Sequence, residues 1–238
     1  MTGSASSMGE PDAIVDRPSP NFDGRPAATP IDMLVLHYTG MKTGAEALDR
    51  LTDSQSKVSA HYLVDETGRV VRLVDDAKRA WHAGVASWRG AADVNGRSIG
   101  IELVNPGHEF GYRPFPKPQM DSLIRLARPL VARHAIPARN VVAHSDVAPR
   151  RKVDPGELFD WAGLAAAGVG LWPDASPPAT LPIADARTLL AEIGYETVDL
   201  AATIAAFQRR FCPARIDGVV DPETGGRLQA VAALCRRA

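Results

Sequence analysis

Cysteine is nearly missing from this 238-residue chain: Cys212 and Cys235, both close to the C-terminus, are the only two. They cannot build a disulfide scaffold, and neither sits in the Cys-x-x-Cys spacing of a metal or redox site. Two buried thiols in a small core is the plainer reading, with one bridge as the alternative in an oxidising compartment. An excess of charge is missing too. The formal net charge is −1, and only Arg150-Arg151-Lys152 and Arg236-Arg237 form short basic runs, so no nucleic-acid partner is expected. No apolar run reaches transmembrane length, so no membrane span is expected. Met1 to Pro30 is rich in Ser, Gly, Pro and Asp and lacks the basic start and apolar stretch of a signal peptide. The expected location is therefore cytoplasmic, or periplasmic if a leader has been cleaved. His-Glu-x-x-His is also absent, which excludes a thermolysin-like zinc site.

What remains is an ordinary globular composition, 45% hydrophobic and 23% charged, long enough for one domain and a small second unit. Residues 1–29 read as an extended, proline-punctuated arm. The apolar run Ile31 to Tyr38 predicts a buried strand, and Gly44 to Leu51 a short helix. Ser59 to Val64 and Arg69 to Val74, separated by Asp65-Glu66-Thr67-Gly68, predict a hairpin. Trp81 to Asn95 is a loop carrying aromatics and glycines, a composition common in ligand walls. Ser98 to Val104 is a strand interrupted by Gly100. Pro118 opens a helix through about His134, which Pro129 should bend. Asn140 to Ala143 is a further strand, and Leu158 to Ala166 a short helix. Residues 174–180 have linker composition. Beyond them, residues 181–238 carry three amphipathic helices, the last opened by an Asp221 cap and Pro222.

Two histidines stand at predicted strand ends: His37 after Ile31 to Leu36, and His144 after Asn140 to Ala143. Asp154 follows on a loop just ahead of Pro155-Gly156. Two imidazoles and a carboxylate are the ligand set of an open zinc site, one ion per chain, which keeps its fourth position for water. Glu102, inside an apolar strand, reads either as a residue on a half-exposed face or as the general base for zinc-bound water. Lys152 would face the oxyanion that builds on an attacked carbonyl. His82, between Trp81 and Gly84, is placed against substrate. His61 reads as a packed histidine, and His108 and His134 as surface residues.

Several segments, in order, resemble one family. They are His37 after its strand, Ser59-Ala60-His61-Tyr62, Arg79-Ala80-Trp81-His82-Ala83-Gly84, Ser87-Trp88-Arg89-Gly90, Asn95, and Ser98-Ile99-Gly100-Ile101-Glu102-Leu103. Ala143-His144-Ser145-Asp146 and Arg151-Lys152-Val153-Asp154-Pro155-Gly156 complete the series. Together they resemble the zinc-dependent type-2 N-acetylmuramoyl-L-alanine amidases of the AmpD/AmiD-like branch. The resemblance implies an α/β fold, a mixed central sheet flanked by helices, over residues 30–173. It implies His37, His144 and Asp154 on zinc, and Glu102 and Lys152 as the catalytic pair. It also puts Trp88 and Asn95 beside His82 in the substrate groove. The reaction implied is hydrolysis of the amide between N-acetylmuramic acid, or its 1,6-anhydro form, and L-alanine of the stem peptide. The substrates would be peptidoglycan fragments or the sacculus, handled by a monomer in cell-wall turnover or recycling. Ala205-Ala206-Phe207-Gln208-Arg209-Arg210-Phe211 with Asp217-Gly218-Val219-Val220-Asp221-Pro222-Glu223-Thr224 is similar to a three-helix peptidoglycan-binding domain. No lipobox cysteine precedes the domain, although AmiD-like relatives typically carry one. The alternatives are a non-catalytic recognition module and a zinc peptidase acting on stem peptides.

Overall fold

A computed structural model describes residues 14–174 and 176–237. From the N-terminal side the elements are β1 (Val15–Asp16), β2 (Phe22–Gly24), β3 (Met33–Tyr38), α1 (Gly44–Thr52), β4 (Tyr62–Val64) and β5 (Val70–Arg72). Then come β6 (Lys78–Ala80), α2 (Val94–Arg97), β7 (Ser98–Leu103), α3 (Gly107–Phe110) and α4 (Lys117–His134). β8 (Val141–Ala143), α5 (His144–Val147) and α6 (Trp161–Ala166) lead to α7 (Ile183–Ile193), α8 (Leu200–Phe211) and α9 (Pro222–Arg237). None of the described helices is long and apolar enough to cross a membrane.

Six strands make a mixed sheet in the order β1-β5-β4-β7-β3-β8. β3 runs parallel to both β7 and β8, and β4 and β5 form the expected antiparallel hairpin. Alternation along β3 sorts its side chains to two faces. Leu34 and Leu36 join Ile99, Ile101 and the apolar stripe of α4, with Leu123, Leu126 and Leu130. Met33 and Val35 turn the other way, into a core shared with Leu190, Phe207 and Leu228 of the C-terminal helices. The mixed sheet flanked by helices is thus as expected.

Two details differ from the sequence reading. Of the extended arm expected over residues 1–29, the part from Ile14 on is described, and it is pinned down: β1 pairs with β5, β2 pairs with β6, and the rest of the arm lies outside the described residues. As expected, α4 runs to His134 with Pro129 inside it, and it ends on Ala135 in the left-handed conformation. The C-terminal helices do not hang from a tether. They close one face of the sheet, and the Ala179 N–H donates to the Pro222 carbonyl at 2.8 Å. Ala175, within the expected linker, lies outside the described residues. Asp221 caps α9 as expected, accepting from the Thr224 N–H at 2.8 Å. Cys212 and Cys235 are both free and buried.

Candidate active site

Ligands of open parallel sheets gather beyond the carboxyl ends of the strands, and here three such ends meet. His37 occupies the fifth position of β3, and Glu102 of β7 is its register partner. Leu36 pairs with Ala143 at the end of β8, so His144 falls one residue further on. His144 opens the single turn α5 rather than a loop. From there the chain runs to Asp154 and folds back, with the Ser145 N–H donating to the Asp154 carbonyl at 3.0 Å. His37, His144 and Asp154 are all buried, and their donor atoms converge. The Nδ1 atoms of the two histidines are 2.9 Å apart, and Asp154 Oδ2 lies 3.1 Å from one and 3.0 Å from the other.

The surrounding hydrogen bonds decide which nitrogens carry lone pairs. Ser98 spends its only O–H on the Val94 carbonyl at 2.6 Å, so its oxygen must accept from His82 Nε2 at 3.1 Å. A neutral His82 then accepts at Nδ1 from His37 Nε2, 3.0 Å away, which leaves His37 Nδ1 without a proton. His144 donates from Nε2 to the Ala83 carbonyl at 3.0 Å, which leaves its Nδ1 bare as well. Two lone pairs and a carboxylate oxygen therefore point at one place, an arrangement that repels unless a cation sits among them. Four-coordinate zinc at 2.0–2.2 Å from its donors spaces them by roughly 3.3–3.6 Å, a few tenths of an ångström wider than the separations seen. An imidazole held from behind by a hydrogen bond is also how metal-binding histidines are normally oriented.

Burial, and then the neighbouring His144, push the His37 imidazole down to about 4. Glu102 moves the other way. Burial, and then the negative Asp154, raise it well above an ordinary carboxyl, and Lys152 only partly counters this. Its Oε2 is buried with no hydrogen-bond partner among the described residues. Glu102 and Lys152 line the same pocket as the three converging residues, a cleft of about 390 Å³ that also has Trp81 and His108 on its walls.

The residues expected in the substrate groove fare differently. His82 touches the cleft but is 9% exposed and stands behind His37, holding that ring rather than reaching outward. Trp88 turns inward: its indole N–H meets Asn140 Oδ1 at 3.2 Å, and its ring packs edge-on against Tyr195. Asn95 is buried and spends its side-chain oxygen on the N–H groups of His82 and Ala83, shaping the loop from within. Neither Trp88 nor Asn95 lines the cleft. His61 is packed as expected, accepting from the Gly100 N–H at 2.9 Å, and burial pushes it down to about 3. His108 is not an idle surface residue. It stacks on Tyr112 and bonds Tyr38 and Glu157 on the wall of the cleft.

Residues 27–157 match the model of the N-acetylmuramoyl-L-alanine amidase family (Amidase_2), more than half of the chain. The chain belongs to that family. The amidase is 39% identical to N-acetylmuramoyl-L-alanine amidase AmiD of Escherichia coli (strain K12), over 92% of this chain and 90% of that protein. It is 34% identical to the 1,6-anhydro-N-acetylmuramyl-L-alanine amidase AmpD of Haemophilus influenzae, over 60% of this chain and 85% of that one. Among solved structures, E. coli AmiD in complex with its substrate anhydro-N-acetylmuramic acid-L-Ala-D-γ-Glu-L-Lys superposes with a TM-score of 0.79 at 39% identity, covering 87% of this chain and 91% of that one. AmpDh3 of Pseudomonas aeruginosa also reaches 0.79, at 31% identity and over 98% of both chains.

Sequence reasoning misses Ser98 and Gly100 of the amidase. A Cβ on Gly100 would sit 2.5 Å from the His82 ring, so the glycine that interrupts β7 is what lets that ring lie flat on the strand. The interruption itself is the available signal.

Proposed function

We propose that this amidase uses one zinc ion to hydrolyse the amide joining N-acetylmuramic acid, or its 1,6-anhydro form, to L-alanine of the stem peptide. The place of this reaction would be peptidoglycan turnover or recycling. The observation that carries the reading is the convergence of two bare imidazole nitrogens and one carboxylate oxygen beside an unpaired, buried Glu102 oxygen. The named substrate of the AmiD complex supports the choice of amide.

His37, His144 and Asp154 would hold the ion. Zinc bound there supplies a Lewis acid that eases deprotonation of water and polarises a carbonyl. Glu102 takes the proton of the attacking water and returns it to the departing alanine nitrogen as the C–N bond breaks. Its raised pKa suits both transfers, because a carboxyl that is too acidic gives its proton up too early. The Lys152 ammonium faces the charge that collects on the carbonyl oxygen. His82 would keep the His37 ring in the ligand tautomer, and the three C-terminal helices would add contact with the glycan–peptide polymer.

Incubating the purified chain with a defined anhydro-muropeptide, with and without a chelator, tests this by mass spectrometry. The expected product is a free stem peptide beginning with L-alanine, formed only without chelator. Cleavage within the peptide, or an intact ligand at high enzyme, refutes the reading.

A further inference from the structure

Helix α8 reaches the metal loop from the far side. The Arg210 side chain is 4% exposed, and its Nη1 donates to Asp146 Oδ2 at 2.8 Å and to the Val141 carbonyl at 3.1 Å. Its guanidinium also lies over the Trp161 ring, 3.9 Å from the centroid. Asp146 is fully buried, and its remaining bonds hold the same corner. Oδ2 accepts from the Ala143 N–H at 2.9 Å, and Oδ1 accepts from the Tyr195 hydroxyl at 2.6 Å. Tyr195 and Arg210 both belong to the C-terminal helical unit, and Asp146 follows His144 by two residues.

The rest of the loop meets the same helical unit more loosely. Arg209, the neighbour of Arg210, stands 3.8 Å from Glu157, three residues beyond Asp154. Between them, Arg150 pairs with Glu196 at 3.0 Å. The stretch 144–157 thus meets residues beyond position 194 at its start, middle and end, and of these the contacts to Asp146 are the buried, hydrogen-bonded ones. A single helical turn such as α5 has no stability of its own, and a buried carboxylate holds its place only while its partners do.

We propose that the C-terminal helices are part of the metal site's framework, with Arg210 and Tyr195 acting through Asp146 as positioning residues for His144. The proposal rests on the zinc site described above. It gives the helical unit a task separate from contact with the polymer.

The test is the zinc dissociation constant of the full chain, measured by competition with a chromogenic chelator, alongside the Tm of the metal-free protein. Tyr195→Phe keeps the ring and removes one bond to Asp146; it should weaken zinc several-fold with little change in metal-free Tm. Arg210→Met should weaken zinc roughly tenfold or more, in the range seen when outer partners of metal ligands are removed. Leu190→Ala loosens the helical core without touching Asp146; it should lower Tm while leaving the zinc constant unchanged well below that temperature. Wild-type zinc constants in both Tyr195→Phe and Arg210→Met would overturn the proposal, and so would an equal loss in Leu190→Ala. If Arg210→Met does not fold, Tyr195→Phe decides alone. Failure of the unaltered chain to bind zinc would instead overturn the site itself.

Discussion

Replacing Gly100 with alanine would place a methyl group 2.5–2.7 Å from Cγ, Cδ2 and Nδ1 of His82. Ordinary carbon contacts lie at about 3.5–4.0 Å, so the ring would have to retreat by roughly 1 Å. It has nowhere to go: Ser98 holds one nitrogen, His37 the other, and His61 packs edge-on at 5.7 Å. Overpacking of this kind costs about 1–3 kcal/mol. The functional loss should be larger than the stability loss suggests, because the His82 shift releases His37 from its ligand tautomer. A roughly 10–100-fold fall in zinc affinity is expected, as for other residues that orient metal ligands. Chelator competition measures it, and thermal unfolding measures the strain. The double variant with His82→Ala separates the two. Without the ring the methyl group fits, so stability should recover relative to additivity, while zinc affinity stays low. Wild-type zinc binding by Gly100→Ala would refute the assignment of His82 as the group that holds His37.

Glu102→Gln should keep zinc and lose turnover by about 10²–10⁴-fold; wild-type rates would remove Glu102 from the base role. Because the base works deprotonated and burial raises its pKa, kcat should be full above that raised value and fall as pH drops through it. An acid limb in the ordinary glutamate range, about 4.3, would count against this. His61 falls to about 3 in the folded chain from an ordinary 6.5. Its contribution to stability is therefore complete above pH 6.5 and is lost as pH falls toward 3. At about 1.4 kcal/mol per unit, roughly 2 kcal/mol should go between about pH 6.5 and 5. Urea unfolding of wild type and His61→Gln over that range should show a shallower slope in the variant.

The candidate metal site is legible partly through local signals and partly through the resemblance of its ordered motifs to the amidase family. An apolar run predicts a buried strand, and two such strands that each end in a histidine can bring both imidazoles to one edge of a sheet. Asp154 and Lys152 follow from the same logic, since a Pro-Gly turn fixes where the loop must double back. Trp88 and Asn95 mislead because a glycine-rich aromatic loop looks the same in sequence whether it faces outward or in. The partner of the Trp88 indole, Asn140, is 52 residues away, and nothing in the local pattern points to it. Periodicity and caps delimit the C-terminal helices correctly. Periodicity says that a face is buried and not against what, so the core they share with Met33 and Val35 stays hidden. Pro177-Pro178 encourages a tether reading, whereas Ala179 lies so near α9 that a Cβ on Gly225 would fall 2.1 Å from its carbonyl oxygen.

His37 and His144 stand 107 positions apart along the chain, so a disordered polypeptide offers no preformed chelate. The complete three-donor set exists only in the folded chain, so zinc held there would favour folding. Each tenfold rise in free zinc above the dissociation constant would then add about 1.4 kcal/mol to the native state. A cell short of the ion would hold fewer intact copies of this hydrolase as well as fewer working ones, tying the lifetime of the protein to trace-metal supply.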